Sequence, residues 1–387
     1  MFADPAEEGN AKQFVDAFVK THPNVEITVE PLPYEDYQQK LTLQAASKTL
    51  PDVFFAWDQV IKEFAEKGVA RDLTDCNIDT SDFYDSMRAL GQHEGKQFMI
   101  PRDYNHVVTF YNVDMFKKAG VPLPQDGWTW DEMVAAARKL TIKDAKGKTT
   151  QYGIQNDNFS WWAITVPAIR GFGGEVVTAS GDVVVDSDEA AKGIEALTQL
   201  VKDGVATNGE FEAQPELLDN GLAAMYFSVR PIVSTLEGNA AGKFKWDVVT
   251  FPKFPVKHIV GSGTAGYAVA SSSEHAKEAC ELLGFIASPE GQRIWDATGN
   301  AVPVLKSLAN DPSWRTVPRA DVNHDAFVKF PEADTLPVEP LVPAGAGPLI
   351  DTARSELFEK VLLGELTPRE MVRAWAERIR AAIEEAG

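Results

Sequence analysis

The feature that most constrains the fold is one run of the chain, PRDYNHVVTFYNVDMF, at residues 101–116. It begins with the polar side chains of Arg102, Asp103 and Tyr104 and continues as a β-rich segment at 106–111. The sequence before this run has the pattern of one β/α lobe, and the sequence after it has the pattern of a second. We therefore predict a strand that crosses between two lobes, with its polar start facing the cleft between them.

The length of the chain agrees with two lobes, and its net charge argues against two classes of partner. A chain of 387 residues exceeds what one compact core usually holds. The formal net charge of −20 argues against nucleic acid or anionic membrane as a partner, because both require clustered Lys and Arg. We attribute the acidity mainly to solubility.

The first 60 residues alternate between helical and extended patterns. Apolar residues recur at helical spacing over 5–20 and 35–47, while 25–29 alternates as a strand and 53–56 is continuously apolar. This order predicts a mostly parallel sheet. A continuously apolar strand indicates that both faces of that sheet are covered.

Helix starts are marked most clearly after the crossing strand. Thr129 and Glu132 form a capping-box pattern, and 367–370 has the same pattern before the last helix. Asp186 and Glu189 are predicted to cap a helix over 186–203. A further helix, rich in aromatic residues, is predicted at 161–172.

The two cysteines do not identify a compartment. Cys76 lies in a polar loop, and Cys280 shares a predicted helix face with Leu282, Leu283 and Ile286. Neither has metal-ligand spacing, so a buried free thiol is predicted for Cys280, with a disulfide as the alternative.

Gly261–Gly266 matches the dinucleotide-binding pattern G-x-G-x-x-G. The glycines should open a helix after a first strand, but the residues that follow, 267–270, are β-like. We therefore predict no cofactor here. The glycines instead indicate a backbone that approaches a ligand or another strand closely.

Patterns for catalysis and metal binding are missing from the sequence. The six histidines are not spaced as zinc ligands on one helix, and the chain contains neither a nucleophile elbow nor a phosphate-binding loop. No pair of carboxylates is marked as a glycosidase acid and base. We predict no catalytic residue and no metal site; a carbohydrate-active enzyme is kept as a minor alternative.

Aromatic residues beside polar ones are the positive signal. Trp57 and Asp58 follow a buried strand directly, Tyr104 begins the crossing strand, and Trp161 and Trp162 follow a polar run. In open α/β sheets, ligands bind outside the carboxyl ends of the strands. Flat rings offer a face to C–H surface while polar side chains bind hydroxyls, which suits a sugar. One of the two adjacent tryptophans should face the site and the other the core.

The order of several short motifs resembles one family along nearly the whole chain. The family is the extracellular solute-binding proteins of ABC importers, in the carbohydrate-binding group that includes maltose-binding protein. The matching motifs are FVDAF at 14–18, HPNV at 22–25, YQQKL at 37–41, PDVF at 51–54, FAEKG at 64–68, DLT at 72–74, YN at 111–112, MF at 115–116, TWDE at 129–132, GG at 173–174, AAM at 223–225, GYAV at 266–269 and GELTP at 364–368.

The resemblance implies an α/β fold of two lobes, periplasmic-binding-protein-like (type II), with a hinge and an interlobe ligand cleft. The first lobe would hold 1–107 and 263–306, and the second 108–262 and 307–387. Transferred by motif position, the expected ligand-binding residues are Asp4, Glu7, Trp57, Asp58, Arg102, Asp103, Tyr104, Trp161, Trp162, Arg230, Gly263 and Thr264.

The resemblance also implies partners and a location. The ligand would be a sugar or small oligosaccharide, the protein a monomer, and the receiver a membrane permease. The site of action would be periplasmic or extracellular and membrane-associated. A phosphorylated polyol such as a glycerophosphodiester, held by Arg102 and Arg230, is the alternative ligand.

Two departures from the family pattern affect these expectations. The sequence shows no signal peptide or lipid-anchor cysteine, and residues 2–4 match only the end of the family's first strand. Residues 348–350 lack the aromatic side chain that the family often carries there. The second departure predicts a ligand smaller than, or shaped differently from, a long maltodextrin.

Overall fold

The computed structural model describes most of the chain. The described residues are 2–3, 8–156, 159–178, 180–209, 218, 220–297, 299, 301–329, 335–337, 342–343 and 346–386.

The helices and strands are numbered in chain order. The helices are α1 Glu8–Thr21, α2 Tyr34–Ser47, α3 Asp58–Glu66, α4 Asp85–Leu90, α5 Val113–Lys118, α6 Trp130–Leu140, α7 Trp162–Gly171, α8 Asp188–Lys202, α9 Val233–Ala240, α10 Ala276–Ile286, α11 Pro289–Asp296, α12 Pro312–Arg315, α13 Gly347–Leu362 and α14 Pro368–Ala386. The strands are β1 Phe2–Ala3, β2 Glu30–Pro31, β3 Val53–Trp57, β4 Gln92–His93, β5 Lys96–Gln97, β6 Ile100–Pro101, β7 Asn105–His106, β8 Val108–Asn112, β9 Ile142–Lys143, β10 Thr149–Gln151, β11 Met225–Ser228, β12 Trp246–Thr250, β13 Val260–Gly263, β14 Ala265–Val269 and β15 Thr335–Pro337.

The chain divides into two discontinuous compact units. The first contains 1–105 and 263–320, and the second contains 106–262 and 321–387. Residues 307–320 therefore belong to the first unit, whereas the family resemblance implies that they belong to the second. Local contacts explain the difference: Asp311 pairs with Arg293 (Nε to Oδ2, 2.9 Å), and both backbone and side chain of Ser307 bond to Asp82.

The central sheet of the first unit is built around a strand from the distant segment. β14 lies between β3 and β6 and runs antiparallel to both, with Trp57 opposite Ala265 and Val53 opposite Val269. The prediction of a mostly parallel sheet is wrong for these pairs, because helix–strand alternation in the first 60 residues does not show a strand inserted from residues 265–269. β1 does pair parallel with β2.

The predicted strand at 25–29 is shorter and later in the structure, which assigns a strand only to Glu30–Pro31. Val25, Ile27 and Val29 are half-buried and alternate with exposed Glu26 and Thr28. The alternation that motivated the prediction is therefore real. The ladder hydrogen bonds that define a strand begin only at Glu30.

The second unit is organised on the run that follows residue 105. β8 is buried throughout and lies between β11 and β12, antiparallel to each, with Val108 opposite both Ser228 and Thr250. The predicted crossing strand is present as β7 and β8, and the boundary between the units falls between 105 and 106. Val107 N–H donates to the Gly261 carbonyl (2.9 Å).

The predicted close approach of glycine backbone is confirmed. A Cβ on Gly266 would lie 2.1 Å from the Ile100 carbonyl oxygen. A Cβ on Gly261 would lie 2.0 Å from the Ala163 carbonyl oxygen. Both glycines therefore permit direct packing of a strand against neighbouring backbone, which a side chain would prevent.

Two of the three predicted helix caps are confirmed. In the Thr129 box, Glu132 N–H donates to Thr129 Oγ1 (3.2 Å) and Thr129 N–H donates to Glu132 Oε2 (2.8 Å). The Thr367 box has the same reciprocal bonds. The prediction for α8 is wrong by one residue, since Ser187 Oγ accepts from Ala190 N–H (3.1 Å) and is the N-cap.

The free thiol predicted for Cys280 is wrong, because Cys76 and Cys280 form a disulfide. Cys280 lies at the half-buried margin of the α10 face whose buried members include Leu282, Leu283 and Ile286. From this margin it reaches Cys76, 204 residues earlier, in a 3₁₀ turn at Thr74–Cys76. The bond joins the two chain segments of the first unit.

His106, in the crossing strand, makes the stability of the protein depend on pH. Its side chain is buried, and burial lowers the pKa of the imidazole from 6.5 to about 3. The unfolded chain therefore binds a proton near pH 6.5 that the folded chain does not. The resulting stability is fully present above pH 6.5 and is lost as the pH falls from 6.5 towards 3.

When the pH falls from 7.5 to 5, the His106 contribution should lower the free energy of unfolding by about 2 kcal/mol. Urea denaturation at both pH values, in the wild type and in His106→Gln, measures this term, and the variant should lose it. His275→Asn, at an exposed position, is the control and should keep the wild-type pH dependence. Equal pH dependence in wild type and His106→Gln would contradict the assignment.

Candidate ligand-binding site

In the first unit, several predicted residues meet at one end of the sheet. Trp57 is the last residue of β3 and the N-cap of α3, and it is half-buried. Ala265, the first residue of β14, lies opposite Trp57, and its N–H donates to Asp103 Oδ1 (3.2 Å). Thr264, the residue before β14, donates from Oγ1 to the Asp103 carbonyl (2.6 Å). The carboxyl ends of β3 and β6 and the amino end of β14 therefore bring Trp57, Asp103 and Thr264 to the same edge.

Arg102 is engaged inside this unit. It is 7% exposed, and its guanidinium carbon lies 5.1 Å from the ring centroid of Phe55 and 4.7 Å from that of Trp295. Its Nη2 and Nε lie 2.9 and 3.2 Å from the same oxygen, Asp103 Oδ2, so both donate to one charged acceptor. Arg102 thus anchors the segment that carries Asp103 and Tyr104.

Asp103 and Tyr104 are buried as well. Besides Arg102 and Ala265, Asp103 accepts from Asn105 Nδ2 (3.1 Å). The ring of Tyr104 is 2% exposed and stacks on Tyr84, with centroids 4.9 Å apart and planes 13° from parallel. These partners, Arg102, Ala265, Asn105 and Tyr84, belong to the first unit.

Three predicted positions in this unit lie outside the described residues, wholly or by their side chains. Asp4 and Glu7 lie outside the described residues, and so does the side chain of Asp58, although its backbone begins α3. Gly263 ends β13 and is half-buried.

In the second unit, the adjacent tryptophans sit at the start of α7. Trp161 is the N-cap, with extended backbone, and Trp162 is the first helical residue. Their ring centroids are 5.7 Å apart with planes at 65°, and both rings are half-buried against the hydrophobic core. The expectation that one ring is in the core is therefore wrong. Helical neighbours point apart, but here only the second residue has helical backbone.

Arg230, also in the second unit, follows β11 and is 1% exposed. Its guanidinium carbon lies 4.9 Å from the ring centroid of Phe327, and its Nη1 lies 3.3 Å from His324 Nδ1. The side chain is thus enclosed by a segment almost 100 residues later in the chain.

Some neighbours of the predicted residues were not predicted. Tyr84, His324 and Phe327 contact Tyr104 or Arg230, yet no local motif marks them. Arg354 was missed too, although Asp351 and Arg354 are an i,i+3 pair of opposite charge on one helix. That spacing is the one signal that could have selected it.

Among the described residues, no group of three or more His, Cys, Asp and Glu side chains could hold a metal ion. A cavity of about 810 Å³ in the first unit lies beside the Cys76–Cys280 bond and contains none of the predicted ligand-binding residues.

Residues 4–293 match the model of the family described as bacterial extracellular solute-binding protein. The chain belongs to this family. The resemblance to solute-binding proteins of ABC importers is therefore confirmed, and the family is extracellular or periplasmic.

Relatives of this solute-binding protein cover most of its length. The galactooligosaccharide-binding protein of Bacillus subtilis is 24% identical over 328 residues, which are 81% of this chain and 74% of that protein. The sn-glycerol-3-phosphate-binding periplasmic protein UgpB of Escherichia coli O1:K1 is 25% identical over 360 residues, 88% of this chain and 77% of that protein.

Solved structures agree on the two-lobe fold. An ABC substrate-binding protein of Listeria monocytogenes, in complex with cycloalternan, has a TM-score of 0.84 and 25% identity, and the match covers 99% of this chain and 97% of that one. In the part of this solute-binding protein that is described, none of the helices has the length and apolar character to cross a membrane.

Proposed function

We propose that this solute-binding protein binds a sugar or small oligosaccharide and delivers it to the permease of an ABC importer. The carrying observation is that aromatic rings remain partly exposed at predicted positions in both units: Trp57, Trp161 and Trp162. Partly exposed indoles offer a flat apolar face on which the C–H surface of a sugar ring can stack. The B. subtilis and L. monocytogenes proteins support the same class of ligand by their names.

In this proposal the buried polar residues build the site and the tryptophans contact the ligand. Arg102 and Asp103 hold the edge beside Trp57, and Thr264 fixes the backbone of Asp103. Asp4, Glu7, Asp58, Gly263 and Arg230 remain predicted contributors. We further propose that one ligand uses residues of both units and that the protein acts as a membrane-associated monomer without catalysis.

A phosphorylated polyol is the second candidate, and the relation to UgpB favours it. Such a ligand would need cationic groups, and Arg102 and Arg230 are the predicted ones. Both guanidiniums are engaged within their own units, by Asp103 and by Phe327 with His324 respectively. This engagement favours the neutral sugar.

The first experiment is a thermal-shift screen against a carbohydrate library that includes sn-glycerol 3-phosphate and glycerophosphocholine. A ligand at 100 times its dissociation constant should stabilise the native protein by about 2.7 kcal/mol. Stabilisation by a neutral sugar supports the proposal. Stabilisation by the phosphorylated polyols alone selects the second candidate, and no response to any compound would contradict both.

For the sugar that gives the largest shift, Trp57→Ala and Trp162→Ala should each raise the dissociation constant about 10–100-fold, because truncating a central aromatic contact costs roughly 1.4–3 kcal/mol. Isothermal titration calorimetry measures this change. Trp57→Phe should retain part of the affinity. Phe172→Ala, at the opposite end of α7, is the matched control and should bind as the wild type does.

Unchanged affinity in both tryptophan variants would remove these rings from the site. Incubation of the protein with the bound sugar, followed by chromatography, should show the sugar intact. Cleavage products would instead establish an enzyme.

A further inference from the structure

The Trp161–Trp162 pair depends on the backbone at 160–163 for its position. Trp161 carries the carbonyl that accepts from Ile164 N–H and Thr165 N–H, both at 2.9 Å, and so begins the helix. Thr165 Oγ1 donates back to the Phe159 carbonyl (2.6 Å). Any shift of this turn moves both indoles, because Trp161 and Trp162 are part of it.

Arg354 of α13, 194 residues after Ser160, forms a hydrogen bond to this turn. Its side chain is 4% exposed, and its Nε donates to the carbonyl oxygen of Ser160, the residue before Trp161, at 2.6 Å. Its Nη1 lies 2.5 Å from Asp351 Oδ1 on the same helix. The planar guanidinium therefore donates a hydrogen bond to the backbone before the tryptophan pair and forms an ion pair with a carboxylate on α13.

A second element supports the same turn. Ala163, the residue after Trp162, lies against Gly261 of β13 so closely that a Cβ on Gly261 would be 2.0 Å from the Ala163 oxygen. β13 thus limits the turn by backbone contact, while α13 holds it by hydrogen bonding. Ser160 and Ala163 bracket the two tryptophans, so the pair is constrained on both sides.

We propose that Arg354 is a positioning residue that sets the geometry of the Trp161–Trp162 pair, with Gly261 as the opposing support. The inference rests on the proposed function for its consequence in ligand binding. The positioning itself concerns the ligand-free protein. Arg354 acts through the Ser160 carbonyl and is not assigned a contact with the ligand.

The test is the exciton couplet of the two indoles in far-ultraviolet circular dichroism, a signature that depends on their separation and angle. Trp161→Phe and Trp162→Phe define the couplet as the signal that each removes. Arg354→Ala should lose most of it while the helical signal stays. Arg378→Ala removes the exposed pair of Arg378 with Glu356 between α14 and α13, and as the matched control should retain the couplet.

A folded Arg354→Ala protein with the full couplet would overturn the proposal. If Arg354→Ala does not fold, two milder variants decide: Arg354→Lys keeps the charge but lacks the fork, and Asp351→Asn changes a half-exposed residue. Each should reduce the couplet, and a full couplet in both overturns the proposal.

Sugar binding by the same variants separates this inference from the proposed function. Loss of the couplet with weaker binding of the sugar selected by the thermal-shift screen supports both. Loss of the couplet with unchanged binding keeps the positioning role and removes the tryptophan pair from the ligand site.

Discussion

Replacing Arg102 with alanine is expected to lower the free energy of unfolding by about 3–5 kcal/mol, the typical cost of removing one partner of a buried ion pair. Asp103 would keep a buried negative charge without its cation, and the space between Phe55 and Trp295 would lose its guanidinium. Urea denaturation followed by circular dichroism measures the loss.

Two further variants control this result. Arg88→Ala removes a surface pair with Asp85 in the same unit and should cost at most about 1 kcal/mol. Adding Asp103→Asn to Arg102→Ala should recover part of the loss, because it removes the uncompensated charge. A loss for Arg102→Ala as small as that for Arg88→Ala would show that the pair is not buried in solution.

Removal of the disulfide by the double change Cys76→Ser and Cys280→Ser is expected to destabilise the first unit by about 2–5 kcal/mol. The bond closes a loop of 204 residues between the two chain segments of that unit, so without it the unfolded chain gains conformational freedom. Thermal unfolding monitored by circular dichroism measures the effect. An extracellular or periplasmic family is the setting in which such a bond persists.

Reduction of the wild-type disulfide is the control for the double-serine variant. Wild-type protein unfolded in the presence of a phosphine reductant should behave like the double-serine variant, and the variant should not respond to the reductant. If the wild type shows no sensitivity and contains two free thiols by alkylation and mass spectrometry, the cysteines are not bonded.

These two effects act in the unit that carries Trp57, and their functional consequence follows from location. Arg102 lies beside Asp103, whose carbonyl accepts from Thr264 at the edge that Trp57 shares. The disulfide joins other elements, the turn at 74–76 and α10. Loss of the ion pair should therefore disturb ligand binding more than loss of the disulfide at temperatures where both variants stay folded.

The sequence by itself determined the features that depend on near neighbours along the chain. The Thr129 and Thr367 capping boxes need residues three apart, and both are present. The strand predicted at 106–111 also formed, as β7 and β8, because β-branched and aromatic residues in succession favour an extended, buried strand. The family followed from the order of many such local motifs.

Only the tertiary structure decided features that join distant segments. Three such features connect residues more than 150 positions apart. They are the antiparallel insertion of β14 between β3 and β6, the disulfide between Cys76 and Cys280, and the hydrogen bond from Arg354 to Ser160. Periodicity reports which face of an element is buried, not which element covers it. For the same reason the sequence selected Arg102, Asp103 and Tyr104 as site residues, but it did not show that they are buried. It also did not show that Trp295, Thr264 and Tyr84 contact them.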